Sequence, residues 1–437
     1  MKKGNIFQFF NTKGLLLIIL LALIIRMGFF VSLQPWNNEV VSKTILVGDA
    51  GGYHNMALGL LSEKSFNSCG SVRTPIYPVF LASCYLISGK TIWFALLVQI
   101  VVNLLTLLLA YRIAYEFFSK KIALLTLLLL AIDYHQASFA VSLLTETLFS
   151  FIFLASIYFL CIGLRRKQIS HYMAISGCCL GLATLTRPIS VLFPIVAVFF
   201  IIFYNFTTNK YVTARLRFKS CIIYSLSYVV LFLLIISPWL YRNYALFNEP
   251  QLTSLAGSNL LFCNVVITEA DKSGHSLEET QAYFMQKAYE AGADTTEFHS
   301  FKNSRIYSQI AIKYIKNNFF LYCKGHLKGM VNLFYRFEKF SDIKTMSGLA
   351  KYRMAGFLIY FAIIYLFSIV GIASSIKKKD IIAFLFLLII IYFDVIPCHY
   401  GDSRFQVPIM PFIYIFCAVG LLYFYDKIID KFSLVKN

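Results

Sequence analysis

The sequence predicts an all-α polytopic membrane protein with about 10–11 transmembrane helices, and three observations lead to this class. Only 14% of the 437 residues are charged and 59% are hydrophobic, whereas soluble domains carry about 25% charged residues. The apolar residues fall in blocks of about 18–22, the length with which an α-helix crosses about 30 Å of hydrocarbon. Lysine and arginine are concentrated in short runs between these blocks, as topology rules require.

Ten segments are long and apolar enough to be predicted as spans: 14–33, 92–115, 121–139, 143–164, 171–187, 189–206, 220–240, 354–376, 380–397 and 405–426. The basic runs at 2–3, 120–121, 165–167, 210–219 and 377–379 all lie on one side of the bilayer if both termini are cytoplasmic. If a shorter apolar segment, 76–89, crossed the bilayer, every later basic run would lie on the opposite side of the membrane. We therefore predict that 76–89 is a re-entrant or interfacial helix on the outer surface.

A single membrane domain over 1–437 is predicted, with two large extracytoplasmic loops. The first loop is 34–91 and includes juxtamembrane helices, the second is 241–353, and 354–437 holds the C-terminal transmembrane helices. Between 300 and 353 only Glu338 and Asp342 oppose many basic residues, which alternate with aromatic ones. That mixture is typical of helices that lie in the headgroup layer. Since no internal repeat is present, the loops are elaborations of one domain.

The net charge of +19 follows from this topology and does not indicate a nucleic-acid partner, because most basic residues lie beside apolar blocks, next to anionic lipid. The ten cysteines have no metal-binding spacing. Cys69, Cys263, Cys323 and Cys398 fall in the predicted outer loops, where a disulfide could form between any two of them. The first apolar segment has no small-residue cleavage pattern, and we interpret it as an uncleaved span.

Ionisable residues collect at the predicted outer ends of the spans, although such groups are costly at membrane depth and usually face a cavity. They are Arg26, Asp133, His135, Glu146, Arg187, Arg242, Asp394, His399, Asp402 and Arg404. Because acids and arginines from many spans converge at one level, the sequence predicts a site at the outer face of the membrane.

The first loop contains GDAGGYHNMALGLL, residues 48–61. Its glycines permit unusual backbone angles and close approach to a ligand, and Asp49 precedes an apolar stripe with helical spacing that includes Tyr53. Asp49 is therefore either a general base or the cap of that helix. Arg73, just before Pro75 and Pro78, is suited to phosphate oxygens or to a lipid headgroup. A divalent cation, if one binds, could take ligands from Asp49, His54 and Glu146.

Six segments in order resemble the GT-C superfamily of polyprenyl-phosphate-sugar-dependent glycosyltransferases, especially its protein mannosyltransferase and lipid A aminoarabinose transferase group. They are GDAGGYHNMALGL, RTPIYPVFLA, LLTETLF, GLATLTRP, SPWLYRN and RFQVPIMPF. The resemblance implies that Asp49 is the catalytic acid or base and Glu146 the second carboxylate of the site. It implies that Arg73 binds the donor phosphate, with Arg187, Arg242 and Arg404 as further candidates. Tyr53, His54 and Tyr77 of the first two segments are expected to contact substrate.

The function implied by this resemblance is transfer of a sugar from a polyprenyl-phosphate donor to an extracytoplasmic lipid, cell-envelope glycan or protein, with inversion at the anomeric carbon. The expected location is a bacterial cytoplasmic membrane, with the site facing outward. Three alternatives remain open. A polysaccharide polymerase or ligase would also have many spans and large loops. A transporter or lipid flippase predicts repeated halves or helices broken at the midplane. A structural membrane protein would not need so many ionisable groups at span ends. The sugar and the acceptor stay undefined.

Overall fold

The computed structural model describes residues 12–66, 70–166, 169–208, 213–335, 348–397 and 403–434. Throughout these ranges the chain forms helices and their connections, without β-strands. In chain order the α-helices are α1 (Thr12–Leu33), α2 (Asn38–Val40), α3 (Asp49–Glu63), α4 (Ile76–Ser88), α5 (Ile92–Phe117), α6 (Lys120–Ile132), α7 (Tyr134–Ala140), α8 (Glu146–Arg166), α9 (Ile169–Thr184), α10 (Phe193–Thr208), α11 (Ala214–Phe247), α12 (Leu255–Ser258), α13 (Val266–Ser273), α14 (Leu277–Glu290), α15 (Phe301–Asn317), α16 (Phe319–Tyr335), α17 (Gly348–Lys377), α18 (Ile381–Val395) and α19 (Met410–Leu434). Short 3₁₀ turns cover Pro188–Ser190 and Ser403–Gln406, and π-helical turns cover Val41–Ile45 and Asn259–Val265.

The prediction of an all-helical polytopic membrane protein is confirmed. In the part of the chain that the structure describes, seven helices are long and apolar enough to cross a bilayer. They lie in α1, α5, α8, α10 with its preceding 3₁₀ turn, α11, α17 and α19. An eighth candidate is the pair α6 and α7, which is bent by 58°. The described ranges thus hold fewer full-length spans than the ten segments that hydropathy indicates.

The differences have local causes. The predicted span 121–139 breaks at Asp133, because the Asp133 carboxylate accepts a hydrogen bond from the Gln136 amide and so starts a new helix. The predicted span 380–397 becomes α18, whose 15 residues reach only about 22 Å. The segment 171–187 becomes α9, which ends at Thr184, before Pro188. The short segment 76–89 forms α4, a helix of 13 residues, as expected.

Small residues bring several helices of the bundle into close contact. Gly177 on α9 faces the Tyr228 backbone of α11, where an added methyl group would clash. Gly371 on α17 and Gly420 on α19 face each other's backbones in the same way. Close approach through glycine is a common means of helix association in membranes, where dispersion and hydrogen bonds replace the hydrophobic driving force.

The second predicted loop folds into a small helical unit that rests on the first. Helices α12–α15 enclose an apolar cluster that includes Leu261, Phe284 and Tyr307, and α15 and α16 cover much of the basic and aromatic segment predicted to be helical. The Ser254 amide donates to the Ser71 carbonyl at 2.9 Å. Cys263 and Cys323 are free thiols, whereas Cys69 and Cys398 lie outside the described residues.

Candidate active site

Five charged side chains from five separate segments meet at one end of the bundle. Asp49 is the first residue of α3, Arg73 lies in the turn before α4, and Glu146 is the first residue of α8. Arg187 follows α9, and Arg404 lies in the 3₁₀ turn before α19. Each residue stands where a helix begins or ends, so short connections rather than helix faces present the charges.

The five groups form an unbroken chain of alternating charge. Arg73 Nη2 donates to Asp49 Oδ1 at 2.9 Å, and Arg404 Nη1 donates to Asp49 Oδ2 at 3.2 Å. Arg404 Nε also donates to Glu146 Oε1 at 2.7 Å. Arg187 Nη1 contacts the same Glu146 oxygen at 2.7 Å. Three arginines and two carboxylates give the cluster a formal net charge of +1, which favours the binding of an anion.

Glycines determine how Asp49 is presented. Gly48 has φ of +61°, a backbone angle that favours glycine, and it occupies the cap position of α3. Asp49 is therefore not the helix cap, which is the alternative that the sequence leaves open. Its carboxylate is 43% exposed and directed at the two arginines. Gly51 approaches the Leu46 carbonyl closely, which fixes the start of the helix against the preceding turn.

Arg73 is held from several sides. Its guanidinium lies 4.2 Å from the centre of the Tyr53 ring, an arrangement that stabilises a cation over an aromatic face. The following residue, Thr74, donates its hydroxyl to the Thr186 carbonyl at 3.2 Å. Because Thr186 precedes Arg187, this bond joins the connection that carries Arg73 to the connection that carries Arg187.

Glu146 is the buried centre of the cluster. Its side chain has no exposed surface, whereas that of Arg187 is 10% exposed and that of Arg404 is 26% exposed. A buried carboxylate is tolerated when charged hydrogen-bond donors surround it. The Arg187 guanidinium also lies 5.1 Å from the centre of the Phe405 ring, next to Arg404 in sequence. Glu146 thus fixes two arginines relative to each other.

Neighbouring charges determine the protonation states of Asp49 and Arg404. Burial raises the pKa of Asp49, but the hydrogen bond and charge of Arg73 together with the charge of Arg404 outweigh burial, so its pKa lies below the usual range. Burial alone would lower the pKa of Arg404, but Glu146 and Asp49 raise it above its usual value. Asp49 is therefore an anion at neutral pH in this arrangement.

Three other predicted site residues lie beside or beneath the cluster. Tyr53 supports Arg73 and packs edge-on against Tyr77, with 4.9 Å between ring centres. Tyr77 is fully buried and donates to Gln99 Oε1 at 2.5 Å. His54 is 2.9 Å from the Tyr85 hydroxyl through Nδ1, and burial lowers its pKa. Tyr77 and His54 therefore form the packing layer beneath Asp49.

Arg242 is not brought into the cluster. It donates to the Gly70 carbonyl at 2.6 Å and to the Phe66 carbonyl at 2.8 Å. Its guanidinium also lies over the Trp239 ring, 4.7 Å from the centre. In this position Arg242 holds the end of the first loop against α11.

Two charged residues expected near the site belong to a separate buried network. Arg26 donates to Asn103 Oδ1 at 2.8 Å and to the Ala131 carbonyl at 2.6 Å. Asp133 accepts from the Tyr414 hydroxyl at 2.6 Å. These bonds satisfy polar groups where α6 breaks, as helix interruptions in membranes require. His399 and Asp402 lie outside the described residues, and Asp394 is on α18.

The carboxylates of the cluster do not form a conventional metal site. Across the described ranges, no group of three or more His, Cys, Asp and Glu residues is arranged to hold a metal ion. Both Asp49 oxygens and Glu146 Oε1 accept from arginine, and His54 is turned to Tyr85. A divalent cation at these oxygens would need the guanidinium groups to move away, because like charges repel.

Sequence reasoning missed His299 and Gln136. The His299 carbonyl accepts from Ser71 Oγ at 3.1 Å, two residues before Arg73, and desolvation and the charge of Arg73 lower the pKa of its imidazole. Gln136 Nε2 donates to the Val407 carbonyl at 2.8 Å, three residues after Arg404. Both contacts join distant segments, so no local pattern could have indicated them.

Comparison with known proteins identifies related sequences and folds. A family described as dolichyl-phosphate-mannose-protein mannosyltransferase matches residues 72–241. This range includes Arg73, Glu146 and Arg187. No curated protein matches the sequence.

The oligosaccharyltransferase AglB shares the fold at low sequence identity, and ArnT is a more distant match. The oligosaccharyltransferase AglB of Archaeoglobus fulgidus, in complex with an inhibitory peptide and a dolichol-phosphate, has a TM-score of 0.56 at 15% identity, over 96% of this chain and 51% of its own. The same enzyme tethered to an acceptor peptide has a TM-score of 0.57 at 14% identity, over 96% of this chain and 50% of its own. ArnT from Cupriavidus metallidurans bound to undecaprenyl phosphate has a TM-score of 0.41 at 15% identity, over 92% of this chain and 77% of its own. The chain therefore spans about half the length of the oligosaccharyltransferase.

Proposed function

We propose that the chain is a member of the GT-C superfamily and that it transfers a sugar from a polyprenyl-phosphate-linked donor to an acceptor hydroxyl on the extracytoplasmic face. The mannosyltransferase family that matches residues 72–241 and the shared fold of the oligosaccharyltransferase support the family assignment. The observation that carries this proposal is the alternating chain of Arg73, Asp49, Arg404, Glu146 and Arg187. It combines a partly exposed carboxylate with arginines that can receive a phosphate. A nucleotide is not needed, since the leaving group is the lipid phosphate itself.

The reaction is a single displacement at the anomeric carbon. The acceptor oxygen forms a bond to this carbon as the bond from carbon to the phosphate oxygen breaks, and the electron pair of the broken bond leaves on the phosphate. The acceptor proton passes to an Asp49 carboxylate oxygen. Attack opposite the leaving group inverts the configuration. Arg73 and Arg404, which border Asp49, stabilise the negative charge that develops on the phosphate.

The ion pairs couple donor binding to the basicity of Asp49. Without a donor, the two arginines lower the pKa of Asp49 and so weaken it as a base. A donor phosphate would draw Arg73 and Arg404 toward its own oxygens, because bidentate phosphate contacts are strong for arginine. Asp49 would then lose stabilising hydrogen bonds and become more basic. The base is thus activated when the donor is in place.

Glu146 supports this arrangement without contacting the acceptor. It is fully buried and binds Arg187 and Arg404, so it keeps both guanidinium groups aligned while the outer charges change partners. The solved structure of the oligosaccharyltransferase AglB in complex with a dolichol-phosphate adds support. A lipid-linked phosphate therefore fits this fold as a donor class.

Substituting Asp49 tests the proposal. Asp49→Asn keeps the shape but removes the proton acceptor, so we expect transfer to fall about 10²–10⁴-fold. Purified protein in lipid nanodiscs would be supplied with polyprenyl-phosphate sugars, and donor consumption would be measured. Glu39→Gln is the matched control, because Glu39 is an exposed acid of the same loop that pairs with Lys43. That variant should retain full activity.

Two results would contradict the proposal. Normal turnover by Asp49→Asn would eliminate Asp49 as the proton acceptor. Failure of the folded wild-type protein to bind any polyprenyl-phosphate sugar would eliminate the donor class. Donor binding is measured in the same nanodiscs by equilibrium dialysis, so a missing acceptor, which abolishes turnover but not donor binding, is distinguished from a wrong donor.

A further inference from the structure

A cavity of about 450 Å³ lies between α10, α17, α18 and α19, at the opposite end of α10 from Arg187. Phe203 and Thr207 of α10 line it near the end of that helix. The 16 residues of α10 extend about 24 Å, so the cavity is remote from the charged cluster. It is therefore not part of the candidate active site.

The cavity has an apolar body. Its lining includes Phe203, Ile372, Phe384, Leu387 and Phe416. A volume of this size lies within the range of about 300–1,000 Å³ that small-molecule sites occupy. A water molecule takes up about 30 Å³, so the space accepts about fifteen groups of that size, comparable to the methylenes of one acyl chain. Such walls suit hydrocarbon and not water.

The charged residues of the cavity lining lie where α17 ends and α18 begins, and Thr207 and Ser375 add hydroxyl groups. Lys379 and Asp380 lie in the connection between these helices, and both line the cavity. The Asp380 carboxylate accepts from the amides of Ile382 and Ala383 at 3.0 and 3.1 Å, so its charge is used to cap α18. Lys379 is exposed, and in the described ranges it makes no ion pair within 4.0 Å.

Neighbouring groups give this end of the bundle a positive charge. Lys377 and Lys378 directly precede Lys379. The start of α6, which carries Lys120, lies at the same end, because Phe118 in the preceding turn contacts Phe386 of α18 with 6.0 Å between ring centres. In the predicted topology these lysines face the cytoplasmic leaflet, whose anionic lipids attract basic residues.

We propose that the cavity binds an anionic phospholipid of the bilayer, with one acyl chain between Phe203, Phe384 and Phe416 and the phosphate against Lys379. The chemistry is complementary at both ends: the body of the cavity takes hydrocarbon, and the mouth offers a cation beside the start of α18. A zwitterionic lipid fills the apolar body equally well but carries its own positive group to the lysines. The site therefore selects by headgroup charge.

Native mass spectrometry of the purified full-length chain tests this proposal. The protein would be incubated with equal amounts of phosphatidylglycerol and phosphatidylcholine that carry identical acyl chains, and the retained lipids would be counted. We expect one phosphatidylglycerol to be retained preferentially on the wild type. Lys379→Gln should reduce this preference by roughly fivefold, the ratio expected for one lysine next to an anionic headgroup.

Two further variants separate the cavity from general surface charge. Lys378 carries the same charge as Lys379 and is adjacent to it in sequence, but its side chain does not line the cavity. Lys378→Gln should therefore keep most of the preference for phosphatidylglycerol. Ser375→Leu fills the cavity and should reduce retention of both lipids. The proposal is overturned if the wild type retains both lipids equally, if Lys378→Gln and Lys379→Gln lose the preference to the same extent, or if folded Ser375→Leu protein retains lipid normally.

Discussion

Gly52 determines where the Arg73 guanidinium can lie. A Cβ atom at Gly52 would be 2.9 Å from both Nε and Nη2 of Arg73, closer than van der Waals contact allows. Arg73 therefore depends on the absence of a side chain at this position for its contact with Asp49. The glycine-rich character of the 48–52 segment thus has a specific role in placing an arginine that lies 21 residues further along the chain.

Gly52→Ala should displace Arg73 while leaving its charge in place. We expect the apparent KM for the donor to rise about tenfold, the effect of losing about 1.4 kcal/mol of binding free energy. The guanidinium is the end of a flexible side chain, so thermal stability should change little. Gly28→Ala is the control, because no atom lies within 4 Å of a Cβ placed there. An unchanged donor KM in steady-state kinetics would show that this Arg73 position is not used for the donor.

The pKa values of the site groups predict a simple pH profile. The proposed base, Asp49, must be deprotonated to accept a proton, and Arg73 and Arg404 lower its pKa below the usual value of 3.8. His54 and His299 also have pKa values below the usual 6.5, so both are neutral above it. We expect kcat/KM, which reports the free enzyme, to stay level from about pH 6.5 to 7.5. A fall in kcat/KM on acidification through that window would assign the base to a group other than Asp49.

At the scale of elements, the break between α6 and α7 supports the turn that carries Arg404. Asp133 starts α7, and this brings Gln136 into position to donate to the Val407 carbonyl. Gln136 also accepts from Asn103 Nδ2 at 3.0 Å, which is bonded to Arg26. The broken helix is therefore a support for the site, and not a site in itself.

Gln136→Leu tests this positioning role. Loss of the bond to Val407 should let the turn that carries Arg404 shift, so we expect kcat to fall by more than about tenfold. The free energy of unfolding should fall by about 1–3 kcal/mol. Ser156→Ala is the matched control, since Ser156 makes a buried bond of 2.8 Å to the Ser176 carbonyl between α8 and α9. It should lose similar thermal stability with unchanged kcat. Equal kcat losses in both variants would mean that Gln136 acts only through general stability.

At the scale of the whole molecule, the two long loops and the bundle are tied together around Arg73. Arg242 of α11 binds the carbonyls of Phe66 and Gly70, and Thr253 donates to the Val72 carbonyl at 2.5 Å. The segment that carries Arg73 is thus held by α11 from one side and by the second loop from the other. This packing explains why a residue in a surface connection keeps a defined position.

Arg242→Gln separates fixation of the first loop from direct binding of the donor phosphate. Removal of the guanidinium leaves two carbonyls without donors, so we expect a loss of about 1–3 kcal/mol in stability, seen as a lower melting temperature. Donor KM should rise less than in Arg73→Ala. If Arg242→Gln instead raises donor KM as much as Arg73→Ala while the protein stays equally stable, Arg242 is itself a phosphate ligand.

The sequence by itself determined the class of protein, most helix positions and the identity of the charged residues, because hydrophobic blocks and glycine-rich motifs are local patterns. Asp49, Arg73, Glu146, Arg187 and Arg404 all stand in motifs that single them out from the sequence alone. The short length of α18 and the break at Asp133 do not follow from the sequence pattern, since hydropathy averages over caps and helix ends.

Tertiary structure decided which charges meet. Arg404 binds Asp49 and Glu146 across 355 and 258 residues of sequence, whereas Arg26 and Asp133, which look equally polar in the sequence, are used to satisfy polar groups at a helix break. Arg242 is directed at loop carbonyls instead of the carboxylates. An ionisable residue within an apolar block must find a partner, but only the packing of the helices determines whether that partner is backbone, another charge or a substrate.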